Sequence, residues 1–297
     1  MNELSIKTIG MGDRIAYRLR KTKLGMRRLE SRLGMQQEIP DHRFGLAACL
    51  VFRDEADYLK EWLLFHEAVG FEHFYLYDNN STDDWLSQIP KRMLEENKVT
   101  ATRIGIKNPQ FLAYNHCLNN ARGVVRWLAF LDADEYLYTT QRGGALMEFL
   151  GNFPDAPGIA VNWQMFGCGG HISRPEGSVL KNFKKCAASG NRHVKVIVRP
   201  ERTLRIANPH EAKYLAGDVA VNERNAAVTG PRSEPPSIEK IRINHYWTKS
   251  VEEFFLKKIK RGDPMGGQRS AMDLIEHERR CVDDSDDEAI RFAVPSE

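Results

Sequence analysis

Phe130-Leu131-Asp132-Ala133-Asp134-Glu135-Tyr136 closes an apolar run that begins at Trp127. The run Trp127-Leu128-Ala129-Phe130-Leu131 reads as a short buried strand. It ends in three carboxylates interrupted by one alanine. Bare acids at the end of a buried strand repel one another and must be solvated or neutralised. A divalent cation neutralises them. Hard ions such as Mg²⁺ and Mn²⁺ take oxygen ligands and bring a substrate's phosphate oxygens with them. Asp132 and Asp134 therefore have the chemistry of a metal–diphosphate clamp. The same residues would also suit an acidic turn or a helix N-cap. The sequence upstream decides between these.

From Phe44 the chain alternates strand and helix. Residues 46–52 read as a buried strand, 55–69 as a helix ended by Gly70, and 74–77 as a second strand. The polar loop Asp78-Asn79-Asn80-Ser81-Thr82-Asp83-Asp84 follows. A helix over 85–97, a strand over 99–103 and a helix over 113–122 lead into strand 127–131. This rhythm predicts an α/β, doubly wound, mostly parallel sheet with helices on both faces. Ligands of such sheets bind beyond the strand C-termini. The loops at 53–55, 78–84 and 132–135 all belong to that edge. From Pro157 the pattern is less regular, with short strands at 159–163, 194–198 and 241–246, a Pro-rich loop at 229–236 and a last helix over 256–262.

Composition bounds the rest. The 297 residues are 42% hydrophobic and 28% charged, in the range of soluble globular proteins. No apolar run approaches the roughly 20 residues of a membrane span, and no signal peptide is visible. A net charge of +3 gives no reason to expect a nucleic-acid partner. Five scattered cysteines without a Cys-x-x-Cys fit a reducing compartment, and the cytoplasm is expected. Three regions are expected: a basic arm over 1–43, a catalytic domain over 44–262, and an acidic tail over 263–297. In the arm, eight Arg and Lys residues between Arg14 and Arg32 share a segment with apolar residues at helical spacing. That pattern serves either an anionic membrane surface or a protein interface. In the tail, Ile290, Phe292 and Val294 are the residues able to dock.

Taken in order, these blocks resemble a family. Val51-Phe52-Arg53-Asp54-Glu55 through Trp62, then His66 and Gly70, resembles the opening of GT-A-type glycosyltransferases, in particular the family 2-like and family 92-like group. Tyr77 to Asp83 resembles that group's second loop, and Phe130 to Tyr136 its Asp-x-Asp strand end. Asn162 to Gly167, Gly170-His171, Lys195 to Pro200, His210, and Asn244 to Ser250 resemble its later blocks. The resemblance covers about residues 46–262. It implies metal-dependent transfer of a sugar from a nucleotide-diphosphate donor to a hydroxyl on a glycan or lipid-linked acceptor, with Mn²⁺ or Mg²⁺ as cofactor. It further implies that Asp78 bonds the nucleotide base, that Arg53 and Glu55 lie at the mouth of the first strand where the nucleotide rests, that Asp132 is the ribose- or metal-side acid and that Asp134 is the direct metal ligand. His245 resembles a metal-binding histidine, with His210 its competitor, and Lys249 a phosphate-binding lysine. Trp163, Phe166 and His171 would fall on the acceptor side; for Trp163 a core role is the stronger reading, and Phe166 is equally suited to either.

An inverting enzyme needs a carboxylate to take the acceptor's proton. Glu135, Glu176, Glu211 and Asp263 are available, with Glu135 the catalytic candidate nearest the motif. A nucleotidyltransferase would use similar chemistry, but it would open with a Gly-rich loop where this chain has Arg53-Asp54-Glu55-Ala56. A catalytically inactive binding protein on the same fold is the other alternative, and the presence of both Asp132 and Asp134 argues against it.

Overall fold

The computed structural model describes residues 6–9, 41–140, 145–262, 269–285 and 288–292. Five strands lie side by side and parallel in the order Lys7–Thr8, Val99–Arg103, His73–Asp78, Phe44–Phe52, Val125–Leu131. Asn191–Val198 then runs antiparallel between Val125–Leu131 and Gly158–Met165. Ile241–His245 lies parallel to Gly158–Met165 and antiparallel to Glu135–Thr139. The result is the mixed α/β fold with a mostly parallel central sheet that the sequence leads one to expect.

The period-2 pattern of Phe44–Phe52 shows why this sheet is covered on both faces. Leu46, Ala48, Leu50 and Phe52 enter one core, with Leu59, Trp62 and Leu63 of helix Ala56–Ala68. Ala47 and Cys49 enter the other, with Ala113, Tyr114 and Cys117 of helix Gln110–Ala121. The parallel strands thus deliver their C-terminal loops to one edge.

Several elements differ from the sequence reading. The helix expected over 85–97 is a 3₁₀ turn, Trp85–Gln88, followed by a short helix, Lys91–Glu95. Pro90 separates them, because it excludes helical geometry at Ile89, which is extended. Strand Glu135–Thr139 continues directly from the acidic turn. The stretch read as an acidic tail contains helix Ala271–Glu278, opened by a Ser270–Asp273 capping box. Asp283–Asp284 pairs with Lys185–Cys186, and the Phe292 ring packs edge-on against Phe65. Phe292 therefore docks as expected; the side chains of Ile290 and Val294 lie outside the described residues. So do the amphipathic arm at 14–33 and Asp263. No helix among the described residues is long and apolar enough to cross a membrane.

Candidate active site

Strand Val125–Leu131 ends at the turn Asp132-Ala133-Asp134, and Glu135 opens the next strand. The Trp62 indole N–H fixes this turn from below, donating to the carbonyls of Asp132 (3.2 Å) and Glu135 (2.9 Å). Lys195, from the antiparallel strand, is buried between two of the acids. Its Nζ lies 2.7 Å from Asp132 Oδ2 and 3.3 Å from Glu135 Oε2. Asp132 Oδ1 accepts from Gln110 (3.0 Å) and Tyr114 (3.2 Å). Glu135 Oε2 also accepts the Asp132 backbone N–H at 2.9 Å. Burial opposes the charge on Asp132, but Lys195 outweighs it and holds the carboxyl below its usual range. The Lys195 ammonium is likewise held well above its usual range, because Asp132 and Glu135 outweigh its burial. Burial dominates for Glu135 and raises it to about 7.

Asp134 faces the other way. Its Oδ1 lies 3.5 Å from His245 Nε2 and its Oδ2 3.2 Å from Lys258 Nζ. Burial works against this carboxylate too, and Lys258 with His245 overcomes it, holding the group well below the usual range. Beside it stands Glu55. This residue occupies the N-cap position of helix Ala56–Ala68, yet its side chain makes no cap. Instead it meets Lys257 at 2.6 Å, Lys249 at 3.6 Å and Arg261 at 3.6 Å. Lys249 sits in the left-handed region (φ 51°), with its Nζ 3.3 Å from the centroid of the Tyr58 ring. Tyr58 donates to Glu253, which closes the capping box on Ser250 at the start of helix Val251–Phe254. That helix widens into a π-helical turn, Phe255–Lys260, which delivers Lys257 to Glu55 and Lys258 to Asp134.

The structure thus brings together Asp132, Asp134, Glu135, His245, Glu55 and Lys249. Arg53 is at the rim, half exposed, and its carbonyl accepts from Arg261 at 2.8 Å. Trp163 lies against His245, with ring centroids 4.4 Å apart. His210 Nδ1 bonds the Val194 carbonyl at 2.9 Å, and among the described residues no hydrogen bond or ion pair joins it to Asp134.

Three of the expected site residues lie in the interior. Asp78 is fully buried, and its oxygens serve the Ser81 N–H (2.7 Å) and Arg103 (3.1 Å). Through these bonds it closes its own loop. Glu135 is fully buried beneath Asp132 and Lys195, where it orders the turn. Phe166 is fully buried against Tyr246, a core contact. His171 is half buried, bonded to the Asn182 carbonyl at 3.2 Å, and its own carbonyl accepts from Val251 at the start of the short helix.

Sequence reasoning missed Lys195, Gln110, Tyr114, Lys257, Lys258 and Arg261 as site residues. Four cations within residues 257–261 were a visible signal for the last three. A lone Lys among strand valines, at 194–198, was the signal for Lys195: burying an ammonium requires an acid partner.

Among the described residues, no group of three or more His, Cys, Asp or Glu side chains is assembled around a metal position. Asp134 and His245 supply a carboxylate oxygen and an imidazole nitrogen 3.5 Å apart, and His245 Nδ1 is buried without a hydrogen-bond partner. Such a pair fits a cation that takes its remaining ligands from substrate phosphates and water.

The sequence is similar to several known proteins. A glycosyltransferase family 92 protein of Ricinus communis is 29% identical over 169 residues, covering 54% of this chain and 29% of its own length. A family 92 protein of Arabidopsis thaliana is 30% identical over 52% of this chain and 29% of its own. A galactan beta-1,4-galactosyltransferase of A. thaliana is 29% identical over 89 residues, 27% of this chain and 17% of its own. The chain therefore spans less than a third of the length of these curated relatives. Among solved structures, Staphylococcus aureus TarS (residues 1–349) overlays with a TM-score of 0.37 at 13% identity, over 52% of this chain and 47% of TarS. The family model for glycosyltransferase family 92 matches residues 42–261, which include every charged group of the site, and the chain belongs to glycosyltransferase family 92.

Proposed function

We propose that this protein transfers a hexose from a nucleotide-diphosphate donor to a hydroxyl of a glycan or lipid-linked acceptor, with inversion and with Mn²⁺ or Mg²⁺ as cofactor. The observation that carries this reading is the convergence on one sheet edge of the Asp132–Asp134 turn and the cations Lys249, Lys257, Lys258 and Arg261. In the absence of substrate these cations are held by Glu55 and Asp134. A diphosphate brought to the same place replaces carboxylate partners with phosphate partners. Charge developing on the leaving diphosphate is then met by ammonium and guanidinium groups already oriented by helix capping and by the Tyr58 ring. Asp134 and His245 would hold the metal, which when bound supplies further neutralisation of that charge. Lys195 keeps Asp132 and the turn in place.

A galactosyl donor is the first to test, given the likeness to a galactan galactosyltransferase over 89 residues. The basic arm is proposed to bring the enzyme to an anionic membrane surface on the cytoplasmic side. Sedimentation with anionic and neutral vesicles, with and without residues 1–36, tests that. A soluble truncated protein that binds vesicles as before would overturn it.

The central test is calorimetry with UDP, GDP and their hexose conjugates, with Mn²⁺ and with EDTA. Metal-dependent binding, followed by transfer to an oligosaccharide primer, is expected. Release of pyrophosphate would turn the reading to a nucleotidyltransferase. Binding equal in EDTA would remove the metal from it.

A further inference from the structure

Behind His245 the structure builds a box of four rings. The Trp163 ring centroid lies 4.4 Å from that of His245, 5.2 Å from His210 and 5.6 Å from His193. His193 and His210 are 5.9 Å from each other. The sheet register explains the grouping. Trp163 and His245 lie on adjacent parallel strands, two residues out of register, and His193 lies in the bulge of the antiparallel strand, where the pairing slips between Asn162↔Val194 and Trp163↔Asn191, two residues before Lys195. The box therefore adjoins the acidic turn through His245, which reaches Asp134.

Its polar atoms are incompletely paired. The Trp163 indole N–H is buried, in a residue only 9% exposed, and has no partner among the described residues. An unpaired buried donor is costly and is kept where something else meets it. The two half-buried imidazoles have defined tautomers. His210 Nδ1 lies 2.9 Å from the Val194 carbonyl, which can only accept. His193 Nδ1 lies 2.9 Å from Asn191 Oδ1, which already accepts the His193 backbone N–H. Each ring thus carries its proton on Nδ1 and presents a lone pair at Nε2, and among the described residues neither Nε2 has a partner. One donor and two neutral acceptors around an aromatic floor suit a group that both donates and accepts. A phosphate only accepts, and an ammonium only donates.

We infer that the Trp163–His193–His210 box is the subsite for a neutral pyranose ring of the substrate, whose hydroxyls accept from Trp163 Nε1 and donate to the imidazoles. The inference rests on the transfer reading above and specifies which residues of that site recognise the sugar. It assigns His193 and His210 to sugar recognition, apart from the diphosphate's cations.

The five tryptophans give five indole N–H signals in a ¹⁵N-labelled sample, and Trp163→Phe identifies one of them. The wild-type protein is titrated with UDP and GDP, with free galactose, glucose and mannose and a β-linked galactose oligomer, and with UDP-galactose, UDP-glucose and GDP-mannose. A sugar is expected to move the Trp163 signal, and UDP or GDP alone to leave it in place. If only the nucleotide-linked sugars move it, the ring is the donor's. If the oligomer moves it, the ring is the acceptor's. Trp163→Phe and His193→Phe should weaken the responsible ligand about 5- to 10-fold and leave the Kd for UDP or GDP unchanged, which a general loss of structure would not do. A Trp163 signal unmoved by every sugar overturns the box, even where nucleotides bind and transfer proceeds. A free sugar that moves the signal in a protein that binds no nucleotide keeps the box and overturns the transfer reading.

Discussion

Two clusters of opposite charges flank the Asp132–Asp134 turn, and they are built differently. In one, Lys195 and Glu135 have side chains 1% and 0% exposed, and the surrounding partners come from the sheet, from helix Gln110–Ala121 and from Trp62 of helix Ala56–Ala68. In the other, Lys257, Lys258 and Arg261 are 22%, 24% and 36% exposed and come from a single chain segment that reaches across to Glu55 and Asp134. Charges sealed away from water have no alternative partner, so the first cluster is fixed with the fold. Charges at the surface can exchange one anion for another at small cost. The first cluster holds a shape; the second is able to bind.

The largest effect that would break this contrast is in the closed cluster. Lys195→Met leaves Asp132 and Glu135 facing each other without their cation. Loss of one partner of a buried ion pair costs roughly 3–5 kcal/mol. Denaturant unfolding should show a loss of that size. A loss under about 1 kcal/mol, the range of surface pairs, would mean that water reaches the cluster and that the two sites are alike.

In the open cluster the order of effects reverses. Asp134→Asn should lower transfer by about 10²–10³-fold, the range for removing one preorganised electrostatic group at a reacting centre. Its unfolding curve should shift little, because Lys258 is able to turn to water. A variant that unfolds early and retains its turnover would place Asp134 with the structural acids.

Asp78 sharpens the comparison further, being fully buried beside the half-exposed Arg103. Asp78→Ala should cost about 1.5–3 kcal/mol of stability through its hydrogen bonds to charged and loop groups, with only a small change in nucleotide affinity. Unchanged stability with a tenfold weaker nucleotide would return Asp78 to the base-binding role that the family resemblance implies.

How much of this was readable beforehand follows the same division. The parallel strands were legible because an apolar run buried on both faces reads directly, as Leu46 to Phe52 does. The Asp-x-Asp turn was legible because it breaks such a run. The partners were not. Lys195 and Asp132 are 63 residues apart, and Lys257 and Glu55 are 202 apart, so only the topology joins them. Asp78 and Glu135 were named from position in a motif, and position does not say whether a carboxylate faces solvent or its own loop. The helix Ala271–Glu278 was hidden by the acidic residues around it, although its Ser270–Asp273 capping box stood in the sequence.

The smallest effect concerns Lys249, where the two kinds of cluster meet: it is buried like Lys195 but paired like Lys257. Burial, then the neighbouring Lys257, pushes its ammonium down to about 8, against the pull of Glu55 and Asp134. The folded value lies below the unfolded one, near 10.4. Lys249 therefore contributes stability above the unfolded value, and that contribution is lost as pH falls from about 10.4 to about 8. Ligand binding runs the opposite way, because a diphosphate needs the charged form. Affinity for UDP or GDP should be level below pH 8 and fall to about a tenth by pH 9, with a proton taken up on binding. Calorimetry in buffers of different ionisation heat measures both quantities. Lys249→Arg keeps its charge throughout this range and should flatten the profile. A wild-type affinity that stays level to pH 9, or an arginine variant with the same slope, would take Lys249 away from the phosphate and leave it as the cation that anchors Tyr58 and Glu55 to the closing helix.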